Sequence, residues 1–369
     1  MSELPVLFDE LTTRDGGRIG VATLNAPKSL NALSLEMIRQ LTAKLDAWAS
    51  DRAVVAVWLE GAGDKALCAG GDVVALYRAM TDETHGHQAS DFAERYFTGE
   101  YRLDHRIHTF PKPLIVWGNG IVMGGGLGLM AGGGQRVATE TTRIAMPEIT
   151  IGLYPDIGAS WFLNRMPPGV GAYLGLTGAQ LNARDALDLG LADRLIPHAR
   201  RQAVIDALLQ ADFVSPHDAM RDVLHEFEDR GQAPQAQVMP RLDAIQSLVD
   251  AADVVGAVTR ILADKRDDDW LAANRARLGA GCPMSAHLIW RMLARHRHAS
   301  LADAFRDELN LSVQCCRHGE LAEGVRALLI DKDKTPRWSH ADVASVPECD
   351  IEDFLTPLWS PEEHPLKDL

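Results

Sequence analysis

Positive charge is scarce in this chain of 369 residues: 37 Lys and Arg stand against 51 Asp and Glu, a net charge of −14. That balance excludes a general nucleic-acid surface. An anionic ligand would need a local basic cluster to hold it against the overall field. Cysteine is scarce as well. The five residues (Cys68, Cys282, Cys315, Cys316, Cys349) have neither C-x-x-C spacing nor an even framework. They are expected to be reduced thiols in a cytoplasm-like compartment. The thirteen histidines are scattered, without H-x-x-x-H or Cys/His spacing, so no metal site is expected. A Gly-Lys-Ser/Thr phosphate loop and a G-x-S-x-G elbow are both missing. The first ten residues, MSELPVLFDE, lack the basic and apolar regions of a secretory signal. With 46% hydrophobic and 24% charged residues, the chain reads as an ordinary soluble globular protein with room for two domains.

One stretch lacks charge altogether. Pro113 to Gln135 has the length of a membrane span, but nine of its 23 residues are glycine and Pro111 and Pro113 flank its start. A strand, a tight turn and a short helix fit that composition better than a lipid-facing helix. No membrane association is expected.

The rest of the chain alternates. Short strands at Val6–Phe8 and Arg18–Leu24 flank Asp15-Gly16-Gly17, a hairpin signal. Ser34 is a good N-cap for a helix that places Ile38, Leu41, Leu45 and Trp48 on one face. Strand-like runs follow at Val54–Leu59 and Leu114–Trp117, with a charged helix near Ala89–His108 between them. The order predicts an α/β core of about 200 residues. Residues 200–330 carry mainly helical periodicity. The tail from Asp331 is polar and broken by prolines, with Trp338 as an anchor.

Three features could carry chemistry. Gly126-Leu127-Gly128-Leu129-Met130-Ala131 fits G-x-G-x-x-A, but Gly132–Gly134 end any helix too early for a dinucleotide-binding crossover. The turns Ala69-Gly70-Gly71-Asp72 and Gly124-Gly125-Gly126 each follow an apolar strand and open a helix. Their unpaired N–H groups can form an oxyanion hole, or both can be tight packing turns. Glu148 and Asp156 lie in an otherwise nearly uncharged segment, MPEITIGLYPDIG. They can be a general acid and base in apolar surroundings, or a cap and a turn residue. Cys68 reads as a buried structural thiol. His296 and His298, set among arginines, read as a solvated helix face.

Taken together, NAPKSLNALS, KALCAGGDV, the strand followed by GGG, AMPEITIGLYPDIGAS and LTGAQLNARDALDLGLAD resemble the crotonase, or enoyl-CoA hydratase/isomerase, superfamily. The match runs in order through residues 5–197. CAGGD, MGGGLGL, RVATE and the late EGVRALLIDKDKTPRW are most similar to the 3-hydroxyisobutyryl-CoA hydrolase branch. The resemblance implies a ββα spiral core over residues 1–200, a helical region over 201–345 and a polar tail over 346–369. It also implies an acyl-CoA substrate, no cofactor beyond the CoA carried by that substrate, and a homo-oligomer such as a trimer or hexamer. The backbone N–H groups of Gly71 and Gly125 would form the oxyanion hole, and Glu148 and Asp156 would be the catalytic acids. Glu100 would lie by the substrate, and the adenine-nucleotide end of CoA would run along the loops of Lys28 and Lys65.

A departure from the wider family favours one reaction. The hydratases carry a second glutamate two residues after the glycine triplet, where this chain has Gly128. They lack a carboxylate at the place of Asp156. The reading is therefore thioester hydrolysis, which the resemblance to the hydrolase branch would place in valine degradation. Glu148 either activates water or attacks directly to give an anhydride, and Asp156 assists. The competing readings are an enoyl-CoA hydratase or isomerase of the same fold, and a non-catalytic acyl-CoA-binding protein.

Overall fold

The computed structural model describes residues 4–81 and 88–369. Among the described residues, ten strands form two sheets. They are β1 (Val6–Thr12), β2 (Arg18–Leu24), β3 (Val54–Gly61), β4 (Ala66–Cys68), β5 (Leu114–Gly118), β6 (Ile121–Met123), β7 (Gln135–Ala138), β8 (Arg143–Ala145), β9 (Leu181–Asn182) and β10 (Arg194–Leu195). The larger sheet has the order β1-β2-β3-β5-β7-β10, and the smaller β4-β6-β8-β9. In the larger sheet only β1 and β2 pair antiparallel, as the Asp-Gly-Gly turn requires.

The chain falls into two compact units that are interleaved along the sequence. The first comprises Met1–Gly71, Arg102–Ala145 and Gln180–Met239; the second comprises Asp72–Tyr101, Met146–Ala179 and Pro240–Leu369. All ten strands belong to the first unit. Its larger sheet is buried through Ile19, Val21, Ala56, Ile115 and Val137, with Trp58 and Trp117 stacked at 5.1 Å. Helix Leu35–Ser50 starts where the sequence places it, with Ser34 Oγ accepting from Met37 N. An added Cβ at Gly20 would lie 2.6 Å from the Trp48 ring, which is why β2 carries glycine where this helix covers it.

The second unit is helical. Helix Gln88–His108 enters it through residues up to Tyr101 and continues into the first unit from Arg102. Helices Leu242–Val249, Val254–Ala263, Asp269–Ala280, Pro283–Arg295, Leu301–Arg317 and Gly319–Val325 make up most of the remainder.

Several expectations change. Helices Pro216–Phe227, Val254–Ala263 and Asp269–Ala280 fall within the helical region expected over residues 200–330, whereas strands β6, β7 and β9 go beyond the elements expected from the sequence. The tail is not merely polar: helix Glu348–Leu355 buries Ile351 and Phe354, and Leu366 is fully buried. Trp338 is half-buried and donates to the Ala280 carbonyl at 3.2 Å.

Candidate active site

Glu148 opens a single 3-10 turn, Glu148–Ile151, closed by Gly152 at φ 75°. Thr150 ties back to Pro147 O through its N–H and its hydroxyl, and Cys282 N donates to Ile149 O at 2.9 Å. The turn lies directly against helix Gly319–Val325. A Cβ at Gly152 would come within 2.4 Å of Glu320 O, and one at Gly324 within 2.3 Å of the Ile151 backbone. Gly324 of the late sequence motif thus has a packing reason: only glycine allows that backbone approach. These contacts hold the Glu148 carboxyl in the interior, 5% exposed, with Oε2 buried and lacking a hydrogen-bond partner among the described residues.

Asp156 lies eight residues further on and is equally buried. Its Oδ2 accepts from Tyr101 Oη at 2.6 Å. Tyr101 Oη lies 2.7 Å from Ser312 Oγ, which lies 2.9 Å from Tyr154 Oη, and Tyr154 donates to Glu308 O at 2.7 Å. The next residue, Ile157, stands at φ 58°. A β-branched residue in the left-handed region is strained by about 1–3 kcal/mol and persists only where its surroundings enforce it.

The third carboxyl is Glu100, 2% exposed, whose Oε1 is also buried and without a partner among the described residues. The structure therefore brings Glu100, Glu148 and Asp156 into mutual electrostatic reach. Burial pushes Glu148 well above the usual carboxylate range, and the charges of Asp156 and Glu100 push it further. Burial and Asp156 do the same to Glu100. Asp156 is pushed up to about 6 by burial, against the lowering effect of the Tyr101 hydrogen bond. Three carboxyls in mutual reach cannot all ionise without cost, and carboxyls whose pKa values are raised in this way suit general acid–base chemistry. Buried acceptors left unpaired are where a substrate group or water would dock.

The remaining candidates lie in the first unit. Gly71 pairs with Leu33 in a parallel bridge, and Gly125 is the first residue of helix Gly125–Ala131, after Gly124 at φ 46°. That helix spans seven residues, so it stays short, as the glycines after it require. A Cβ at Gly126 would lie 2.2 Å from Cys68 O, so the triplet lets this helix press on β4. Cys68 itself is buried, its thiol donating to Gly70 O.

The space beside Gly128 is filled. An added Cβ there would lie 2.8 Å from Oδ2 of the fully buried Asp104. A glutamate at 128 would have to displace that carboxyl. Lys28 and Lys65 are both exposed, on loops that the structure joins. The Asn31 amide, fully buried, donates to Ala62 O and Ala66 O at 3.0 Å each. Asn31 stands at φ 57°, a conformation asparagine tolerates better than most residues.

Sequence reasoning overlooked a group behind Asp156 and misplaced one. Glu308 and Ser312, one turn apart on helix Leu301–Arg317, sit on its buried face. His296 is not on a solvated face: it caps helix Pro283–Arg295, is 1% exposed, and reaches Ser160 Oγ and Asp307 Oδ2. His298 is exposed as expected. Among the described residues no group of three or more His, Cys, Asp or Glu could hold a metal ion. No helix among them is long and apolar enough to cross a membrane.

The sequence profile of the enoyl-CoA hydratase/isomerase family matches residues 19–355, which takes in both glycine turns and all three carboxyls. The chain belongs to that family. Among its family relatives, the mitochondrial 3-hydroxyisobutyryl-CoA hydrolase of Gallus gallus is 36% identical over 354 residues, covering 95% of this chain and 89% of the relative. The mitochondrial enzyme of the same name from Homo sapiens is 33% identical, covering 98% and 92%. A crystal structure of an enoyl-CoA hydratase from Rhodobacter sphaeroides superposes with a TM-score of 0.84 at 32% identity, covering 96% of this chain and 98% of the other. A carnitinyl-CoA dehydratase from Mycobacterium thermoresistibile gives the same score and identity, covering 96% and 97%. The fold is thus the family's crotonase α/β architecture with a helical C-terminal region.

Proposed function

We propose that this family member hydrolyses a short β-hydroxyacyl-CoA thioester. The first substrate is 3-hydroxyisobutyryl-CoA, giving 3-hydroxyisobutyrate and CoA in valine degradation, and the second is 3-hydroxypropionyl-CoA. One observation carries the reading: Glu148 and Glu100 are buried, each with an unpaired carboxyl oxygen, and share their environment with an Asp156 held near pKa 6. A carboxyl that keeps a proton close to neutral pH serves water activation and leaving-group protonation in one site. In this reading Glu148 activates water, or attacks the thioester carbonyl, breaking the C–S bond to release the CoA thiolate, which takes up a proton, and leaving an anhydride that water then opens. Asp156 orients the substrate hydroxyl or the water and carries the proton, and Glu100 lies by the acyl group.

For the thioester oxygen we take the backbone N–H groups of Gly71 and Gly125, on the family resemblance. The exposed Lys28 and Lys65, on loops joined through Asn31, are the local positive charge for the nucleotide end of CoA in a chain of net charge −14. The reaction needs no cofactor. A reducing compartment fits five free cysteines; the cytoplasm is our reading, although the vertebrate relatives carry "mitochondrial" in their names. A homo-oligomer, trimer or hexamer, is part of the proposal.

The second reading is an enoyl-CoA hydratase or isomerase, favoured by the superposition on the enoyl-CoA hydratase of Rhodobacter sphaeroides. Asp104 in the space beside Gly128 speaks against the two-acid hydratase, because a second acid at that position would have to displace the Asp104 carboxyl. Incubation with 3-hydroxyisobutyryl-CoA and, separately, crotonyl-CoA distinguishes them. Free thiol from the first and no loss of enoyl absorbance from the second supports hydrolysis. Hydration of crotonyl-CoA without thiol release overturns it. Tight binding of both without turnover would favour the non-catalytic alternative.

A further inference from the structure

The carboxyl of Glu308 is held where it governs Asp156. Gly158 N donates to Glu308 Oε2 at 2.6 Å, Ser160 N donates to Oε1 at 3.0 Å, and Ser160 Oγ donates to the same Oε1. All three donors lie within four residues of Asp156, and between them and it stand Ile157 at φ 58° and Gly158 at φ 80°. No local side chain caps the short helix Ala159–Phe162 that follows; the cap comes from Glu308 across the unit's interior. Phe305, one turn earlier on the same helix as Glu308, would lie 3.2 Å from a Cβ at Gly158 and closes the other side.

Glu308 is fully buried, so its hydrogen bonds are made without competition from water. Ser312, one turn later, lies 2.7 Å from the tyrosine that donates to Asp156. The serine on the other side of the Glu308 carboxyl is backed by a second layer: Ser160 Oγ lies 2.7 Å from His296 Nδ1, whose Nε2 lies 2.9 Å from Asp307 Oδ2. One helix face therefore grips the aspartate from both sides, through Tyr101 at its carboxyl and through Gly158 and Ser160 at its backbone.

We infer that Glu308 is a positioning residue for the reaction: by bonding Gly158 and Ser160 it enforces the left-handed Ile157–Gly158 turn and so sets the direction in which Asp156 points. It does not touch the substrate. This rests on the reading of Asp156 as catalytic, and the test keeps the two apart.

The test compares thiol release from 3-hydroxyisobutyryl-CoA by the wild type, Glu308→Gln, Asp156→Asn and the double variant, with melting temperature as the check on folding. Glu308→Gln is expected to lower kcat at least about tenfold while KM stays within about twofold, because a misdirected Asp156 affects the transition state more than binding. In the Asp156→Asn background the same change is expected to lower kcat by no more than about twofold, since residues acting as one unit are not additive. A Glu308→Gln enzyme with wild-type kcat, or one whose effect multiplies in full through Asp156→Asn, overturns the inference. Wild-type activity in Asp156→Asn alone overturns the catalytic reading of Asp156, and this inference with it. If Glu308→Gln does not fold, Ser160→Ala removes one of the three bonds; a kcat several-fold lower at unchanged KM supports the role, and an unchanged kcat overturns it.

Discussion

Two glutamates of this chain, Glu10 on β1 and Glu308 on helix Leu301–Arg317, show what environment does to one functional group. Glu10 sits at the rim of the first unit, where the Trp48 indole donates to it at 2.8 Å and Lys44 and Arg18 stand beside it. Those partners hold its carboxyl down at about 2. Glu308 is fully buried, accepts from two backbone amides and a hydroxyl, and is pushed up to about 8 because burial outweighs those bonds. Glu148, Glu100 and Asp156 are shifted in the same direction as Glu308. The first environment keeps a charge as a fastener. The second raises carboxyl pKa values by burial, and the carboxyls assigned to the chemistry, Glu148, Glu100 and Asp156, are of this second kind.

The largest test of that contrast is Glu148→Gln. It keeps the shape of the turn and removes the ionisable group, so thiol release should fall by about 10²–10⁴-fold, as loss of a general base does. Binding of the CoA thioester should persist, and calorimetry on the variant checks this. Full activity in Glu148→Gln would falsify the assignment of that residue. Asp156→Asn should cost less in rate, roughly 10- to 100-fold, and should leave a second trace. The Asp156 charge is the second cause, after burial, of the raised Glu148 pKa. Removing it should move the acid limb of kcat/KM to lower pH. A limb that stays in place would mean the two carboxyls do not share a site.

Much of this was legible in the residues. Long apolar runs such as Val54–Leu59 announced their strands, and the absence of a glutamate at 128 was readable directly. What fills that space was not, because Asp104 comes from a helix some twenty residues upstream and only folding brings it to Gly128. Strands β6 and β9, three and two residues long, are too short to carry a period. His296 was misplaced because its arginine neighbours suggest water; the helix ends at Arg295, and the ring of the capping His296 is held in the interior by Ser160 and Asp307. Glu308 did leave a signal: a glutamate between Phe305 and Leu309, on the apolar face of an amphipathic helix, is a charge that needs a reason to be buried.

Stability against pH gives the next, smaller test. Asp156 and Glu308 have folded-state pKa values raised from 3.8 to about 6 and from 4.5 to about 8. In the interval between unfolded and folded values the native state binds more protons than the unfolded one, so stability falls as pH rises. Their contribution is fully present below about pH 4 and is lost by about pH 8. The melting temperature should therefore decline from pH 5 to pH 8, and Glu308→Gln, which no longer ionises, should flatten that decline. A melting temperature that climbs over the same interval would mean the buried carboxyls are not protonated in the native state.

The smallest effect is expected at Glu10, and its sign is opposite. Its folded-state pKa is lowered from 4.5 to about 2, so its stabilisation is present above about pH 4.5 and disappears as pH falls towards 2. Glu10→Gln can still accept from the Trp48 indole but loses the attraction of Lys44 and Arg18. Because these side chains are about one-quarter to one-third exposed, the loss at neutral pH should be about 1 kcal/mol or less. Urea titrations at pH 7 and pH 3 should show the variant's deficit shrinking at the lower pH, and added salt should shrink it as well. Its kcat should equal that of the wild type. A Glu10→Gln enzyme impaired in turnover would break the contrast, because a carboxyl held at about 2 in the first unit would then matter to chemistry assigned to carboxyls raised by burial.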